Sequence, residues 1–253
     1  MKILIAGYGY VGKAIDSCLN KVHTTHIVDP KFNSNTFNFD YDAVIIAVAT
    51  PQGQDGSCDM QNIFNCVEQV NDKPILIKST ISLEGWQQLK QKYPNKDITF
   101  SPEFLRANTA IEDFVKQETM FFSNDNYKFW SLLFKSILPT MNISIGKAEE
   151  LVLAKYFRNS FLATKVSFFN QIYDLCKSLN ISYSNVKDFI VADKRIGDSH
   201  SEVTIQRGFG GHCFPKDTQA ILSTAETNNC QLSILNEAVK YNSSIRKNEG
   251  NEY

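Results

Sequence analysis

The sequence predicts an α/β fold, with a doubly wound parallel sheet followed by a helical domain. Through the first half of the chain, short apolar runs alternate with helical segments, the pattern of parallel strands joined by helices. A glycine-rich turn directly follows the first apolar run. Residues 148–179 contain neither proline nor glycine, and their apolar residues recur at helical spacing. We therefore expect a sheet domain at 1–147 and a helical domain at 148–253.

Composition places the chain among ordinary globular proteins. Of its 253 residues, 43% are hydrophobic and 21% charged, enough to build the cores of two domains. The net charge of -1 gives no reason to expect a nucleic-acid or membrane partner, and no apolar run reaches eighteen residues. The six cysteines form no CxxC pair and no zinc spacing, so we expect no metal and a reducing, cytoplasmic compartment.

The first strand and helix frame a G-x-G-x-x-G motif, GYGYVG. Residues 2–6 (KILIA) read as a buried strand rather than a signal peptide, and a helical segment follows the motif. Its glycines allow a tight turn, the close approach of a pyrophosphate, and the packing of helix on strand. The residues expected to contact the dinucleotide are Gly7, Gly9, Tyr10, Val11 and Gly12.

The second strand, within HIVDP, ends at Asp29, about where a ribose-binding carboxylate belongs. An acid at this position favours NAD over NADP because it would repel a 2′-phosphate. With the glycine motif, it predicts a Rossmann-like, NAD-binding sheet. The alternative interpretation is a glycine-rich turn with an aspartate at the end of a strand.

Three further strands are expected at 41–50, 73–80 and 97–104, with helices near 61–70 and 83–92. Ligands of such sheets bind beyond the carboxyl ends of the strands. A single polar residue at such a position usually belongs only to the turn that ends the strand. Three of them at the same edge of the sheet form a candidate site. These residues are Thr50, Thr80 and Glu103, each next to a proline or a serine.

In the long helix, Lys155 and Asn159 are four residues apart and so share a face. A lysine among apolar neighbours either extends its ammonium group to water or is placed for a function. From the residues alone, extension to water is the commoner outcome.

In residues 208–217, GFGGHCFPKD, a flexible glycine-rich segment precedes a thiol. Cys213 is the candidate nucleophile, and the cations His212 and Lys216 would favour its thiolate form. Asp217 could position water. A thiol beside NAD suggests the oxidation of a carbonyl through a thioester, which water then cleaves.

The ordered motifs GYGYVG, TP, KST, SPEFLR, EE-x4-K-x3-NSFLATK, DKRIG and GFGGHCFPKD resemble the UDP-glucose/GDP-mannose dehydrogenase family, over essentially the whole chain. The resemblance implies that the primary alcohol of a nucleotide sugar, with UDP-glucose the expected substrate, is oxidised to the carboxylate. It also implies two NAD reduced per turnover and a thioester on Cys213. Relatives form homodimers through the long helix, and we expect the same here.

The resemblance also implies roles for individual residues. Lys155 would stabilise the oxyanion, which reverses the interpretation from its neighbours alone. Asn159 would be the hydrogen-bonding companion of Lys155, Glu103 would assist thioester hydrolysis, and Thr80 would hold the catalytic water. Asp217 would orient water and assist proton transfer. Thr50, Thr80 and Lys216 are expected at the cofactor. The residues expected at the substrate are Phe104, Leu105, Lys155, Asn159, Arg195, Phe209, Gly210 and Gly211, with Arg195 reaching the substrate of a neighbouring subunit.

Two features depart from the family pattern. Ala107 stands where the family usually has a second acid, which could slow hydrolysis or alter contacts with the sugar. The sequence also stops at Tyr253, whereas family members continue into a domain that grips the nucleotide. Residues 235–253 read as the helix leading into that domain. Three explanations are open: the sequence is a truncated piece of a longer protein, the protein is naturally short, or a separate chain supplies the missing domain.

Other functions remain open. The same chemistry could act on GDP-mannose or on an N-acetylated UDP-sugar. The chain could instead be a catalytically idle NAD-binding subunit that needs a partner chain, as Ala107 and the early end favour. A decarboxylating dehydrogenase of the 6-phosphogluconate type shares the predicted sheet and long helix, but such an enzyme has no need of the cysteine segment.

Overall fold

A computed structural model describes residues 1–32, 37–53 and 56–246. The chain divides into two compact units, the first comprising residues 1–54 and 58–155 and the second residues 55–57 and 156–253. The division falls inside the long helix, and each unit has a hydrophobic core of its own.

The first unit is built on a five-stranded sheet in which every neighbouring pair of strands is parallel. The order β2-β1-β3-β4-β5 is one of the two common doubly wound arrangements, and the switch point lies between β1 and β3. The predicted α/β fold is therefore confirmed. The strands are β1 (Lys2–Ala6), β2 (Thr24–Val28), β3 (Ala43–Ile46), β4 (Ile75–Ile77) and β5 (Ile98–Phe100).

Each predicted strand exists, but β3, β4 and β5 are shorter than the apolar runs at 41–50, 73–80 and 97–104. Sheet pairing stops early, so the last residues of these runs form loops at the carboxyl edge of the sheet.

Within the described residues, five α-helices lie wholly in the first unit, and those predicted near 61–70 and 83–92 are confirmed. The helix of the glycine motif begins at Tyr10, before Gly12 rather than after it. The five are α1 (Tyr10–Leu19), α2 (Gln61–Gln69), α3 (Leu83–Lys92), α4 (Ala110–Lys116) and α5 (Tyr127–Lys135).

A second, two-stranded parallel sheet pairs β6 (Thr119–Ser123) with β7 (Asn142–Gly146). Sequence reasoning did not predict it. Residues of β6, α4 and α5 share one core with β1 and α1, in which Phe114, Phe122 and Trp130 are among the largest fully buried side chains. The small sheet thus extends the core of the first unit.

Helix α6 (Ala148–Ser178) matches the predicted long helix to within one residue; it begins in the first unit and continues through the second. The second unit adds α7 (Tyr183–Val191), α8 (Phe214–Thr227) and α9 (Ser233–Ile245). Helix α9 confirms a helix in the predicted stretch 235–253, of which residues 247–253 lie outside the described part.

Within the described residues, no helix is both long and apolar enough to cross a membrane. The same residues contain no cluster of three or more His, Cys, Asp or Glu side chains able to hold a metal ion.

Candidate active site

In the glycine motif of the first unit, two of the three glycines have no room for a side chain. Gly7 has a φ of +92°, and a Cβ on it would lie 2.5 Å from the carbonyl oxygen of Ala47. A Cβ on Gly12 would lie 2.1 Å from the carbonyl oxygen of Gly7. Gly9 is different, because no heavy atom lies within 4 Å of the place its Cβ would take. It is the N-cap of α1, so open space meets the N–H groups at a helix start, as a pyrophosphate requires.

Asp29 follows β2 and is fixed beside this turn. Its Oδ2 accepts a hydrogen bond from the backbone N–H of Tyr8 at 2.7 Å, and its Oδ1 accepts one from the N–H of Lys31 at 2.9 Å. The carboxylate therefore sits at the turn, where a ribose hydroxyl can be bound. The Tyr8 phenol donates to Asp16 at 2.6 Å, which raises the pKa of Tyr8 to about 12. Of the other predicted contacts, Tyr10 is exposed and Val11 partly exposed.

The polar residues predicted at the strand ends all lie in the loops after parallel strands, at the carboxyl edge of the sheet. Thr50 is buried in the loop after β3. Thr80 follows β4 and is partly exposed, and its carbonyl accepts a bond from the Cys58 thiol at 3.6 Å. Ser79 ties the two loops together, because its Oγ donates to the carbonyl of Val48 at 2.8 Å.

Glu103, after β5, is held by a lysine that sequence reasoning missed. The Nζ of Lys78 lies 2.9 Å from Glu103 Oε2 and donates to Ser101 Oγ at 3.0 Å; the exposed fractions of the Lys78 and Glu103 side chains are 0% and 7%. Glu103 Oε1 accepts the N–H of Phe104 at 3.0 Å. The signal was available, since Lys78 interrupts the apolar run ILIKST. Loss of one partner of a buried ion pair typically costs about 3–5 kcal/mol.

Lys155 is buried, and its ammonium group donates to the main-chain carbonyl of Glu103. It also lies 5.4 Å from the centre of the Phe104 ring, whose edge meets Phe121 at a centroid distance of 5.8 Å. The interpretation that Lys155 extends to water is therefore wrong. Two lysines fix Glu103, Lys78 through its carboxylate and Lys155 through its carbonyl.

The loop after Glu103 is locked by Asp113 of α4. The guanidinium of Arg106 donates to both carboxylate oxygens, at 3.0 and 2.6 Å, and the backbone N–H of Arg106 adds a third bond at 3.0 Å. These contacts hold the pKa of Asp113 well below its usual range. They also fix the adjoining loop residues, of which Leu105 is buried. Ala107 begins the short 3-10 turn Ala107–Thr109.

In the second unit, the carboxylate of Asp217 is almost completely buried in the first turn of α8. Its Oδ2 accepts from the amide of Asn159 at 2.6 Å and its Oδ1 from the ammonium of Lys216 at 2.8 Å. The structure thus brings Asn159 and Asp217 together and engages Lys216 with Asp217.

Cys213 is the N-cap residue of α8 and is partly exposed, beside the exposed His212. The N–H of Asp217 donates to the Cys213 carbonyl at 2.8 Å, which fixes the first turn. A thiolate at a helix start faces the positive end of the helix dipole. In the first unit, burial raises the pKa of the Cys66 thiol to about 11. Cys18, Cys58 and Cys176 are buried and Cys230 is exposed.

The remaining predicted substrate residues have different surroundings. Phe209 is buried, Gly210 partly exposed and Gly211 exposed. Arg195 is 89% exposed and pairs with Asp193 at 2.5 Å. Arg195 therefore lies apart from the buried groups of its own unit. The roles assigned to the candidate residues stay predictions.

Sequence models of two domains match the chain. Both describe the UDP-glucose/GDP-mannose dehydrogenase family: the NAD binding domain matches residues 31–129, and the central domain matches residues 149–244. The chain belongs to this family. Its first unit is thus an NAD-binding domain, and the matched range begins after Gly12 and Asp29.

Individual proteins are also similar. The chain is 32% identical over 246 residues to the UDP-glucose 6-dehydrogenase of Rickettsia prowazekii, covering 92% of this chain and 54% of that protein. It is 28% identical to the UDP-glucose 6-dehydrogenase TuaD of Bacillus subtilis, covering 97% of this chain and 63% of TuaD. The chain therefore spans about half to two thirds of the length of these family members.

A solved structure of a UDP-glucose dehydrogenase from Pyrobaculum islandicum superimposes with a TM-score of 0.82, over 96% of this chain and 68% of that one. The sequence identity is 24%, so this likeness supports the fold.

Proposed function

We propose that this chain oxidises the primary alcohol of a nucleotide sugar, UDP-glucose, to the carboxylate with NAD as oxidant. The observation that carries the proposal is Cys213 at the start of α8, one turn from the buried Asn159–Asp217 pair, in a member of a dehydrogenase family. A thiol so placed can form a covalent bond to a carbonyl carbon. The names of the similar curated proteins support UDP-glucose as the substrate.

The proposed reaction has two oxidations. The alcohol first loses a proton and a hydride and becomes an aldehyde. The Cys213 thiolate adds to the aldehyde carbon, and the resulting hemithioacetal loses a proton and a second hydride to become a thioester. Water then cleaves the thioester, releasing the carboxylate and the thiol. NAD supplies the chemistry of hydride acceptance, twice per sugar.

We propose for the candidate residues the roles that the family resemblance implies. Lys155 and Asn159 stabilise the negative oxygen of the tetrahedral species, where the loss of one donor typically costs about 100-fold or more in rate. Glu103 assists hydrolysis of the thioester, Asp217 orients the attacking water and assists proton transfer, and Thr80 holds that water. The proposed sugar contacts are Phe104, Leu105, Phe209, Gly210, Gly211 and Arg195, and the proposed cofactor contacts include Asp29, Thr50 and Lys216.

The test mixes the purified protein with NAD and UDP-glucose and follows NADH absorbance. We expect two NADH per sugar, with Cys213→Ser abolishing turnover. Cys230→Ser, which removes an exposed thiol of the same unit, is the matched control and should keep the wild-type rate. Equal NADH formation by active Cys213→Ser and wild-type proteins would contradict the thioester mechanism. Activity on GDP-mannose or an N-acetylated UDP-sugar, without activity on UDP-glucose, would make that sugar the substrate instead.

A second candidate function is a catalytically idle NAD-binding subunit that works with a partner chain. Ala107 favours it, because the family usually has an acid there. NAD binding without NADH formation on any of these sugars, in the wild type and in Ala107→Glu alike, is the result that this function predicts. Recovery of thioester hydrolysis in Ala107→Glu would instead show an enzyme slowed at one step.

We also propose that the chain forms a homodimer through α6. Its exposed Phe161, Phe168 and Leu175 are spaced seven residues apart and so form a stripe along one face. Sedimentation equilibrium should give a dimer for the wild type and a monomer for Phe168→Glu. A wild-type monomer at all concentrations would contradict the proposal.

A further inference from the structure

The segment that precedes Cys213 has an unusual backbone. Arg207 and Gly208 are consecutive residues in the left-handed region, with φ of +61° and +56°. A non-glycine residue in this region is held there by its surroundings. The contacts of residues 207–209 show what holds it.

Asn242, on the last turn of α9, binds both backbone groups of Phe209. Its Oδ1 accepts the Phe209 N–H at 2.6 Å, and its Nδ2 donates to the Phe209 carbonyl at 3.1 Å. Asn242 is 8% exposed as a whole residue, so both bonds are shielded from water. We call this pair of bonds the Asn242 clamp. The Phe209 ring packs into a small core with Ala163 and Val166 of α6, so backbone and side chain are fixed together.

A second buried asparagine, Asn170 of α6, holds the two preceding residues. Its Oδ1 accepts from Arg207 Nε at 2.8 Å and from the Gly208 N–H at 3.1 Å, while its Nδ2 donates to the Val166 carbonyl at 2.9 Å. Every polar atom of this amide is therefore used. Arg207 also pairs with Asp174 at 2.6 Å.

From these contacts we infer that Asn242 and Asn170 are positioning residues that hold the glycine segment, residues 208–211, and so set the place of the Cys213 thiol. The inference rests on the proposed function in taking Cys213 as the reacting group. Only three residues, 210–212, separate Phe209 from Cys213. A clamp on Phe209 thus limits where the thiol can lie, and misplacement of a reacting group by about 1 Å can cost about 100-fold in rate.

The test is a labelling experiment that needs no substrate. The full chain is treated with dithiodipyridine from pH 8 to pH 4.5, and the labelling of Cys213 relative to Cys230 is read by peptide mass mapping. The exposed Cys230 lies in the same unit and is the internal reference. Since no sugar or NAD is present, a failure of the clamp is distinguished from a failure of the proposed reaction.

Asn242→Ala removes both bonds, and we expect the Cys213/Cys230 ratio to rise at least fivefold at every pH. Asn242→Asp is more informative. As a carboxylate it cannot donate to the Phe209 carbonyl, so the ratio should rise as in Asn242→Ala at pH 8. As a protonated acid it again offers one donor and one acceptor, so the ratio should return to within twofold of wild type at low pH.

The charged groups around this position are the guanidinium groups of Arg207 and Arg246 and the Asp174 carboxylate. The two cations favour the ionised form of the introduced acid, and for this reason the titration extends to pH 4.5. Asn236→Ala, an exposed asparagine on the same helix, is the matched control and should leave the ratio unchanged.

A ratio within twofold of wild type in both Asn242 variants would overturn the inference. So would an Asn242→Asp ratio that stays raised at low pH, because the donor–acceptor pair would then not be what holds the thiol. Labelling of the buried Cys18 and Cys176 in Asn242→Ala reports loss of the fold. In that case Asn242→Asp, which keeps the side-chain shape, decides through its pH dependence alone.

Discussion

Two glycine-rich segments, residues 7–12 in the first unit and 208–211 in the second, both expose main chain to a ligand. The atoms that surround their other glycines differ. Each contains glycines that the protein closes off and one that faces open space, Gly9 in the first and Gly211 in the second. In both, a ligand can approach the main chain where no side chain stands in its way.

The atoms that occupy the space beside the remaining glycines differ between the two segments. In the first segment the obstacles are main-chain atoms, the carbonyl groups of Ala47 and of Gly7 itself. In the second they are side-chain atoms: a Cβ on Gly208 would lie 2.1 Å from Asn242 Oδ1, and one on Gly210 would lie 2.1 Å from an Arg246 guanidinium nitrogen. Main chain cannot move without the sheet, whereas a side chain can rotate. The first segment is therefore determined by the fold, and the second by the side chains of Asn242 on α9 and of Arg246 directly after it.

The largest effect is expected from Gly7→Ala. The new Cβ would meet main chain, at a φ that disfavours any side chain, so we expect a loss of about 3 kcal/mol or more in the free energy of unfolding. Urea unfolding followed by circular dichroism measures it. Gly9→Ala is the matched control and should change stability by less than about 1 kcal/mol, while weakening NAD binding at least tenfold because its Cβ would occupy the open space.

Either of two results would break this half of the comparison. One is a Gly7→Ala protein as stable as wild type, which would mean that Ala47 can shift. The other is unchanged NAD affinity in Gly9→Ala, which would mean that the open space above Gly9 is not where the pyrophosphate lies.

The same contrast explains how far the sequence could predict the molecule. The sequence predicts the glycine motif, Asp29 and the strand ends because main-chain geometry at a strand–helix turn is set by local residue types. Lys78 was missed although it interrupts an apolar run, because its partner Glu103 is distant in the sequence and only the sheet brings them together. Asn170 and Asn242 gave no signal, since an asparagine in a helix is ordinary and its bonds to residues 207–209 come from tertiary packing. The neighbours of Lys155 in the sequence favour extension to water, whereas its burial against the Glu103 carbonyl comes from tertiary packing.

A smaller effect is expected from Gly210→Ala. Its φ lies outside the left-handed region, and the obstacle is the end of a flexible side chain. Arg246 can move away, giving up its bonds to the carbonyls of Arg207 and Gly208, at 2.9 and 3.4 Å. Because each such bond contributes about 1 kcal/mol, we expect Gly210→Ala to cost about 1–2 kcal/mol.

The double variant Gly210→Ala/Arg246→Ala decides whether the obstacle is the side chain. If Arg246 is what the new methyl group meets, Arg246→Ala alone should cost about as much as Gly210→Ala, and the double variant should cost no more than either. The two effects would then be strongly non-additive, as for residues in contact. Additive costs, or a Gly210→Ala loss as large as that of Gly7→Ala, would place main chain rather than Arg246 against Gly210. The second segment would then be determined by the fold like the first, and the distinction between them would disappear.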